Sequence, residues 1–493
     1  MTDKEIINLF LNPKSVALIG ASKNPMKGGY RILNNLVSNN FEGEIYPINP
    51  NAEGELFGIE FKNSVLDVEG EIDIAIFYVP NQLIPGLLTE CIKKGIKGAI
   101  IEASGFEEIG EAGLDLRDRI LEITDNFSKI RVVGPNCMGL TRIDADSKSK
   151  EKGGFFSSFL VFEKYKRGNI GVISQSGMLN GGYFTHITTK YPGLGFRYVC
   201  SIGNKMDLSE NEFLEFMIED ETVKVIAIYL ESFQNPRRFI ELCKKANKIR
   251  QKTIILVKGG ITSKGQQATL SHTGALSEDS RLIKAIINQS GAIHAKSFYE
   301  LFLYARTFSM MHAENKSLPN RGNLSIIVGS GGAGTILTDL ITENGLNVPE
   351  LSETAYKTLE EIFPEWMPPN RFALVDIWPA MEKAMGDRAN PNEVMRKAYN
   401  SVLGDPEIEG LFNMMFCSKQ FRAMSNVEIL IEIIKRSQKP VFFYLIGENK
   451  EVIRNTKILS DNNIPSFSNL EELVKNFKIL VNESNSKGSE SSD

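Results

Sequence analysis

Short apolar runs alternate with amphipathic stretches along nearly the whole chain. SVALIG (15–20), EIYPINP (44–50), DIAIFYVP (73–80), KGAIIEA (97–103) and KIRVVGPN (129–136) are mostly continuous Val, Ile and Ala. Such runs predict strands buried on both faces. YRILNNLVSN, PNQLIPGLLTECIKKG and EAGLDLRDRILEITD lie between them and predict helices. The alternation is that of a parallel sheet with helices on both sides, an α/β fold. A polar bridge, TRIDADSKSKEKGG (141–154), predicts a boundary. GNIGVIS, GFRYVCS, KVIAIYLES, KTIILVKGG and GAIHA then repeat the pattern, with helices between them and, at SQSGMLNGGYFTHIT (174–188), a loop feeding a helix. Ser209 and Glu212 stand at capping-box spacing before one of these helices. A second polar stretch, MMHAENKSLPNRG (310–322), leads to a third unit built on NLSIIVG, GLFNMMF, KPVFFYLIG and IPSFS. The predicted domains are 1–143, 155–312 and 320–480, and the composition of the last residues predicts a disordered tail over 481–493.

Length agrees with three units, since 493 residues at about 150 per domain make roughly three. The net charge of −5 leaves no footprint for nucleic acid. Cys91, Cys137, Cys200, Cys243 and Cys417 are widely spaced with no CxxC pair. That pattern argues against a zinc site or a redox dithiol and fits a reducing, cytoplasmic setting. The N-terminus is too polar for a secretory signal, and no apolar run approaches the roughly 18 residues of a membrane span. The expectation is a cytoplasmic protein with no metal site and no nucleic-acid or membrane partner.

Polar, glycine-containing loops follow the strands, at the sheet edge where open α/β folds bind ligands. Gly20-Ala21-Ser22 closes the first strand and Gly28-Gly29 precedes a helix, which suits a phosphate at a helix N-terminus; a tight βα turn explains the loop as well. Gly329 to Gly334 matches G-x-G-x-x-G, but LSETAYKTLEEIF reads as helix where an acidic strand end should follow, against a dinucleotide site. Ser174-Gln175-Ser176-Gly177 and SIGN (201–204) could offer N–H groups to a phosphate or serve as plain N-caps. GPNCMG (134–139) joins a rigid turn to a carboxamide and a thiol, and a structural turn would look similar. Glu231 ends a strand, on the rim.

His272 is one of four histidines and sits in VKGGITSKGQQATLSHTGAL (257–276), which reads as a flexible polar loop. Metal binding would need His, Asp or Glu at ligand spacing, and a serine hydrolase would need G-x-S-x-G; neither is present. Two readings remain: a hydrogen-bonded surface imidazole, or a nucleophile that accepts and passes on a phosphoryl group. A carrier needs N–H donors for phosphoryl oxygens, which SQSG could supply, and a carboxylate to orient the ring, which Glu231 could supply.

In order, IGAS, YPINP, GPNCMGL, SQSG, SIGN, YLES and SHTGAL, followed by a glycine-rich third unit, resemble the ADP-forming acyl-CoA synthetases over about residues 10–475. The likeness is greatest to the stand-alone α subunits, relatives of the succinyl-CoA synthetase α subunit. It implies an N-terminal Rossmann-like CoA-binding domain followed by two flavodoxin-like domains. The implied reaction interconverts acyl-CoA, ADP and phosphate with acid, CoA and ATP through an acyl phosphate. His272 would be the phosphohistidine and Glu231 its stabilising carboxylate. Ser174, Gln175, Ser176 and Gly177 would hold phosphate, with Ser271, Thr273 and Gly274 beside the histidine. Gly20, Ala21, Ser22, Pro47 and Asn49 would bind CoA, Val79, Pro80 and Ser104 would line the pantetheine path, and Asn136 and Gly139 would lie near the thioester. Asn51 stands where the family often has Lys, so Lys23 or Lys27 would meet the CoA phosphate. Ala373-Leu374-Val375-Asp376 replaces the family's NPxD in the third domain. The ATP-grasp half, with ADP/ATP and Mg, is expected on a separate β subunit, in a hetero-oligomer that also self-associates. A non-catalytic CoA- or acyl-CoA-binding regulator of the same fold, and an enzyme acting on a larger acid, are the competing readings; the intact SHTG, SQSG and Glu231 set argues against the regulator.

Overall fold

The computed structural model describes residues 1–147, 153–159, 165–177, 182–191, 193–249, 251–273, 279–422 and 426–489. They fall into two compact units, residues 1–191 with 195–305, and residues 192–194 with 306–493.

In the first unit, β1 (Ser15–Ile19), β2 (Glu44–Ile48), the hairpin strands β3 (Glu55–Leu56) and β4 (Ile59–Glu60), β5 (Ile74–Phe77), β6 (Gly98–Ile101) and β7 (Arg131–Val133) alternate with helices. Those helices are α1 (Asp3–Leu11), α2 (Gly28–Ser38), α3 (Ile84–Lys94) and α4 (Glu111–Thr124). The first sheet is parallel, in the order β2-β1-β5-β6-β7. The two-residue period of a strand divides its apolar positions between the faces. Val16, Leu18, Ile74, Ile76 and Ile100 pack with α1 and α2, while Ala17, Ile19, Ala75, Phe77 and Ile101 pack with α3 and α4. The N-terminal stretch, read only as too polar for a signal, forms α1, whose start is fixed by a capping box between Thr2 and Glu5.

The second sheet comprises β8 (Leu140–Ile143), β9 (Gly154–Phe156), β10 (Arg167–Ser174), β11 (Phe196–Ser201), β12 (Val225–Leu230), β13 (Thr253–Lys258) and β14 (Ile293–His294), in the order β14-β13-β12-β10-β11-β8-β9. The polar bridge expected at 141–154 thus contains the last three residues of β8 and the first residue of β9, both antiparallel members of this sheet. Leu140, Ile143, Phe155 and Phe156 are buried, and the polar residues between the two strands concealed that pattern. Helices α5 (Phe184–Lys190), α6 (Glu210–Glu219), α7 (Pro236–Lys248), α8 (Ser263–Thr273), α9 (Ser280–Ser290) and α10 (Phe298–Ala313) follow. Helix α6 begins with the expected Ser209–Glu212 capping box. The stretch 174–188, read as a loop feeding a helix, leads into α5 at Phe184–Lys190, and residues 178–181 lie outside the described set.

The stretch read as a flexible loop is corrected at α8, which carries Ser271, His272 and Thr273 in its last turn. Thr262 starts it: its hydroxyl accepts from Gly265 N at 3.1 Å and its carbonyl from Gln266 N at 2.8 Å. After that cap, the run from Lys264 to Leu270 contains good helix formers in Gln, Ala, Leu and Lys. Gly274 and the side chains of 270–273 lie outside what is described.

The second unit has one parallel sheet, β16-β15-β17-β18-β19, built from β15 (Leu324–Val328), β16 (Leu374–Asp376), β17 (Gly410–Cys417), β18 (Val441–Gly447) and β19 (Ser466–Phe467). Helices α11 (Gly331–Glu343), α12 (Glu353–Glu360), α13 (Trp378–Gly386), α14 (Pro391–Gly404), α15 (Glu428–Arg436), α16 (Asn449–Asp461) and α17 (Leu470–Ser489) complete it. The tail expected to be disordered from 481 is helical through Ser489. Leu473, Val474, Phe477, Leu480 and Val481 recur at helical spacing and are buried, so the apolar stripe carries the helix past its polar end.

Candidate functional site

Every loop singled out in the first unit follows the carboxyl end of a strand. In the first sheet the chain moves from β1 to β2 on one side and then to β5 on the other, a switch point of the kind that opens a ligand crevice. Gly20 leaves β1 at φ +92°, and a Cβ there would stand 2.2 Å from Tyr78 O. Asn49 braces this loop: its amide donates to Ala21 O at 2.7 Å and its oxygen accepts from Asn51 N at 2.9 Å. Pro47 is buried within β2, paired with Leu18. Asn49 and Pro47 therefore shape the Gly20-Ala21-Ser22 turn from behind. Lys23 donates to Glu53 O and lies over the Phe61 ring, whereas Lys27 is exposed at the N-cap of α2.

A pocket of about 570 Å³ lies at the edges of both sheets. Val79 and Pro80 follow β5, Ser104 follows β6, and Asn136 follows β7; Gln175, Ser176 and Gly177 follow β10 and line the same space. Seven residues that the family resemblance implied would serve CoA or phosphate thus share one cavity. Cys137 and Met138 of the GPNCMG loop and Asn204 of SIGN also line it, together with Tyr78, Glu102 and Phe159, which were not anticipated there.

The loops are locked to one another by their backbones. Gly139 has φ +75°, and a Cβ on it would lie 2.6 Å from Ser157 Oγ and 2.9 Å from Glu102 Oε1. Asn136 N donates to Ala103 O at 2.8 Å, and Asn204 N donates to Pro135 O at 2.9 Å. Met138 N donates to Ser201 Oγ at 3.0 Å. A Cβ on Gly177 would stand 2.7 Å from Met138 Cγ, so glycine is what lets the GPNCMG and SQSG loops approach. Burial pushes the Cys137 thiol well above its ordinary range, with nearby Glu102 adding to the effect.

On the second sheet, Ser174 Oγ accepts from Ser176 N at 3.1 Å and donates to Ser176 O at 2.8 Å, a closed local turn. Gln175 Oε1 accepts from Glu231 N at 2.8 Å and Ser232 N at 3.2 Å. Ser174 and Gln175 hence use these atoms on positioning, the Ser176 N–H is taken up by the same turn, and the ligand-facing part of the loop is the Ser176 hydroxyl with Gly177. Glu231 accepts from the Tyr229 hydroxyl at 3.1 Å. Burial and then this carboxylate raise the Tyr229 phenol, keeping it a donor. The buried Lys258 ammonium donates to Glu231 O at 2.8 Å and Gly259 O at 2.7 Å, pinning the end of β13, which leads on to α8.

Glu102 was missed although its signal matches that of Glu231: a carboxylate directly after an apolar strand, GAIIE beside IAIYLE. Among the described residues, no group of three or more His, Cys, Asp or Glu could hold a metal ion, and no helix is long and apolar enough to cross a membrane.

Comparison with known proteins agrees with this layout. A CoA binding domain family matches residues 14–142, and the succinyl-CoA ligase like flavodoxin domain family matches residues 167–308. The chain is 34% identical to acetate–CoA ligase [ADP-forming] II of Archaeoglobus fulgidus across 94% of its own length; it spans 64% of that longer protein. It is 33% identical to the α subunit of acetate–CoA ligase [ADP-forming] I of Pyrococcus furiosus, across 96% of this chain and 97% of the subunit. A solved structure of dinucleotide-forming acetyl-coenzyme A synthetase 1 from Ca. Korarchaeum cryptofilum, in complex with phosphate and ADP, superposes with a TM-score of 0.81 at 26% identity, covering 98% of each chain. With this identity spread over the whole chain, and with both family domains in register with the loops described, the chain belongs to the ADP-forming acyl-CoA synthetases.

Proposed function

We propose that this chain is the CoA-binding, phosphohistidine-carrying part of an acyl-CoA synthetase that joins thioester cleavage to ATP formation. The observation that carries the reading is the shared pocket, in which Val79, Pro80, Ser104 and Asn136 face Gln175, Ser176 and Gly177 across one cavity. A thioester and a phosphate need such a common space to react.

In the proposed sequence, CoA enters along the first sheet, its diphosphate at Gly20-Ala21-Ser22 with Lys27 beside it, and its pantetheine arm past Val79, Pro80 and Ser104. Phosphate rests on the N–H of Gly177 and the hydroxyl of Ser176, whose own N–H is held by Ser174. A phosphate oxygen attacks the thioester carbon, the C–S bond breaks, and acyl phosphate and CoA form near Asn136 and Gly139. The imidazole of His272 then attacks phosphorus and the carboxylate of the acid leaves. Glu231, fixed by Tyr229 and Gln175, orients the imidazole and balances its developing charge, while Ser271, Thr273 and Gly274 steady the phosphoryl oxygens. The phosphoryl group passes from His272 to ADP, with Mg, on an ATP-grasp partner. The α-subunit naming of the Pyrococcus relative, matched over 97% of its length, supports a partner of this kind. Five buried, unpaired cysteines support a reducing compartment, the cytoplasm.

Because all five cysteines are buried, a thiol reagent reads released CoA selectively. Acyl-CoA mixed with the chain and phosphate should give a phosphate-dependent release of thiol that Ser176→Pro abolishes. Acyl-CoA binding with no phosphate-dependent release under any acyl-CoA would instead favour the regulator reading.

A further inference from the structure

Glu102 stands at the end of β6 with its side chain in the pocket. It is only 8% exposed, and neither carboxyl oxygen has a hydrogen-bond partner among the described residues. Buried carboxyl groups in folded proteins are paired or hydrogen-bonded, and an unmatched one lining a cavity marks a partner that arrives with the ligand. Burial raises this carboxyl well above its ordinary range and so favours the protonated form, which has one donor and one acceptor.

Its surroundings say which part of the ligand it meets. Oε1 lies 2.9 Å from the position of a Cβ on Gly139. Gly139 adjoins Met138, which in turn packs against Gly177 of the phosphate-side loop. The carboxyl is therefore at the end of the pocket where the carbon attacked by phosphate must lie, not on the outer path past Pro80 and Ser104, both exposed. Tyr78, Met138, Phe159 and Cys137 supply the apolar part of the wall, and the Tyr78 and Phe159 rings meet at 5.6 Å, tilted by 57°. A single carboxyl in such a wall suits an acyl chain with one polar substituent.

Resting on the synthetase reading above, we propose that Glu102 determines acyl specificity by pairing with a hydroxyl on the acyl chain, so that hydroxyacyl-CoA thioesters are selected over alkanoyl-CoA thioesters of equal length. A hydroxyl complements a neutral carboxyl in both directions, as donor and as acceptor. A plain alkanoyl chain leaves the carboxyl unpaired, and sites built around a substrate hydroxyl reject analogues that lack it far more strongly than apolar pockets reject a missing methylene.

Binding and turnover separate this proposal from the reading on which it rests. The full chain is titrated calorimetrically with butyryl-CoA and with its 2-, 3- and 4-hydroxy forms, for wild type, Glu102→Gln and Glu102→Met. Wild type should bind at least one hydroxy isomer about tenfold or more tighter than butyryl-CoA. Glu102→Gln, which keeps a donor and an acceptor, should retain part of that ratio, and Glu102→Met should bring it to within about twofold. Equal binding of all four thioesters by wild type, or an unchanged ratio in Glu102→Met, would overturn the proposal. Phosphate-dependent CoA release is measured on the same samples; its absence beside an intact binding ratio would count against the synthetase reading alone.

Discussion

Removal of the Lys205 ammonium should cost more stability than removal of most single groups in the first unit. Lys205 directly follows the SIGN turn, and its Nζ lies 2.9 Å from Glu210 Oε2, with side-chain exposures of 1% and 0%. The same ammonium donates to Ser232 O at 2.7 Å, and the other Glu210 oxygen accepts from Gln234 N at 2.7 Å. The pair thus clamps the turn after β11 to the segment that begins at Glu231. Lys205→Met leaves a carboxylate buried without its cation and Ser232 O without its donor. Breaking one side of such a buried pair costs about 3–5 kcal/mol, whereas replacing both partners with apolar groups recovers much of that loss. For a unit of this size the single variant should lower the unfolding midpoint by roughly 10 °C. The assay is thermal and urea unfolding of wild type, Lys205→Met, Glu210→Met and the double variant, with phosphate-dependent CoA release measured on each. The double variant should be less destabilised than the sum of the singles by about 2 kcal/mol or more. CoA release should remain poor even there, because Ser232 has lost its tether. A Lys205→Met variant within about 1 kcal/mol of wild type, or strict additivity in the double, would refute the clamp.

Other consequences can be checked alongside. Gly203 has φ +55°, and a Cβ there would stand 2.1 Å from Pro135 O, so Gly203→Ala should cost about 2 kcal/mol or more and weaken acyl-CoA binding, read by thermal shift and titration. Asn49→Ala removes the brace under Ala21 and should weaken CoA binding by about fivefold to thirtyfold while the midpoint of unfolding moves little. The carboxyl of Glu102 is raised on folding from its ordinary 4.5. The folded state therefore holds a proton that the unfolded state releases, and stability is fully present below that value and falls as pH rises through the folded pKa. Glu102→Gln removes this slope, so its midpoint advantage over wild type should grow with pH above 4.5; an advantage that does not vary with pH would contradict it.

The parts of the fold written in periodicity were legible. The parallel strands read correctly because both their faces are buried, which makes them continuous apolar runs, and Ser209–Glu212 capped α6 as its spacing required. Segments whose determinants are sparse or distant were not. β8, Leu-Thr-Arg-Ile, is only half apolar and borders a charged stretch, and its partner β11 lies over fifty residues on, so local polarity outweighed it. Helix α8 was concealed by Gly259 and Gly260 before it and Gly265 within it, although Thr262 gives a cap and Gln, Ala and Leu sustain the turns after it. The motifs that singled out Asn136 and Ser176 led to residues that line one pocket. Motif alone did not distinguish atoms that face a ligand from those that face the protein. Asn49, Ser174 and Gln175 hold loops in place, a role visible only once their partners are known. Glu102 required the opposite information, the absence of any described partner for a buried carboxyl.

The central claim is that a phosphoryl group leaves the pocket on His272. The full chain is incubated with radiolabelled phosphate and an acyl-CoA panel in the absence of nucleotide, and the label is then mapped by proteolysis and mass spectrometry. Acid-labile, base-stable label on His272, requiring an acyl-CoA and absent from His272→Asn, is the predicted result. Label that persists in His272→Asn, or none with any acyl-CoA in the panel, would contradict it.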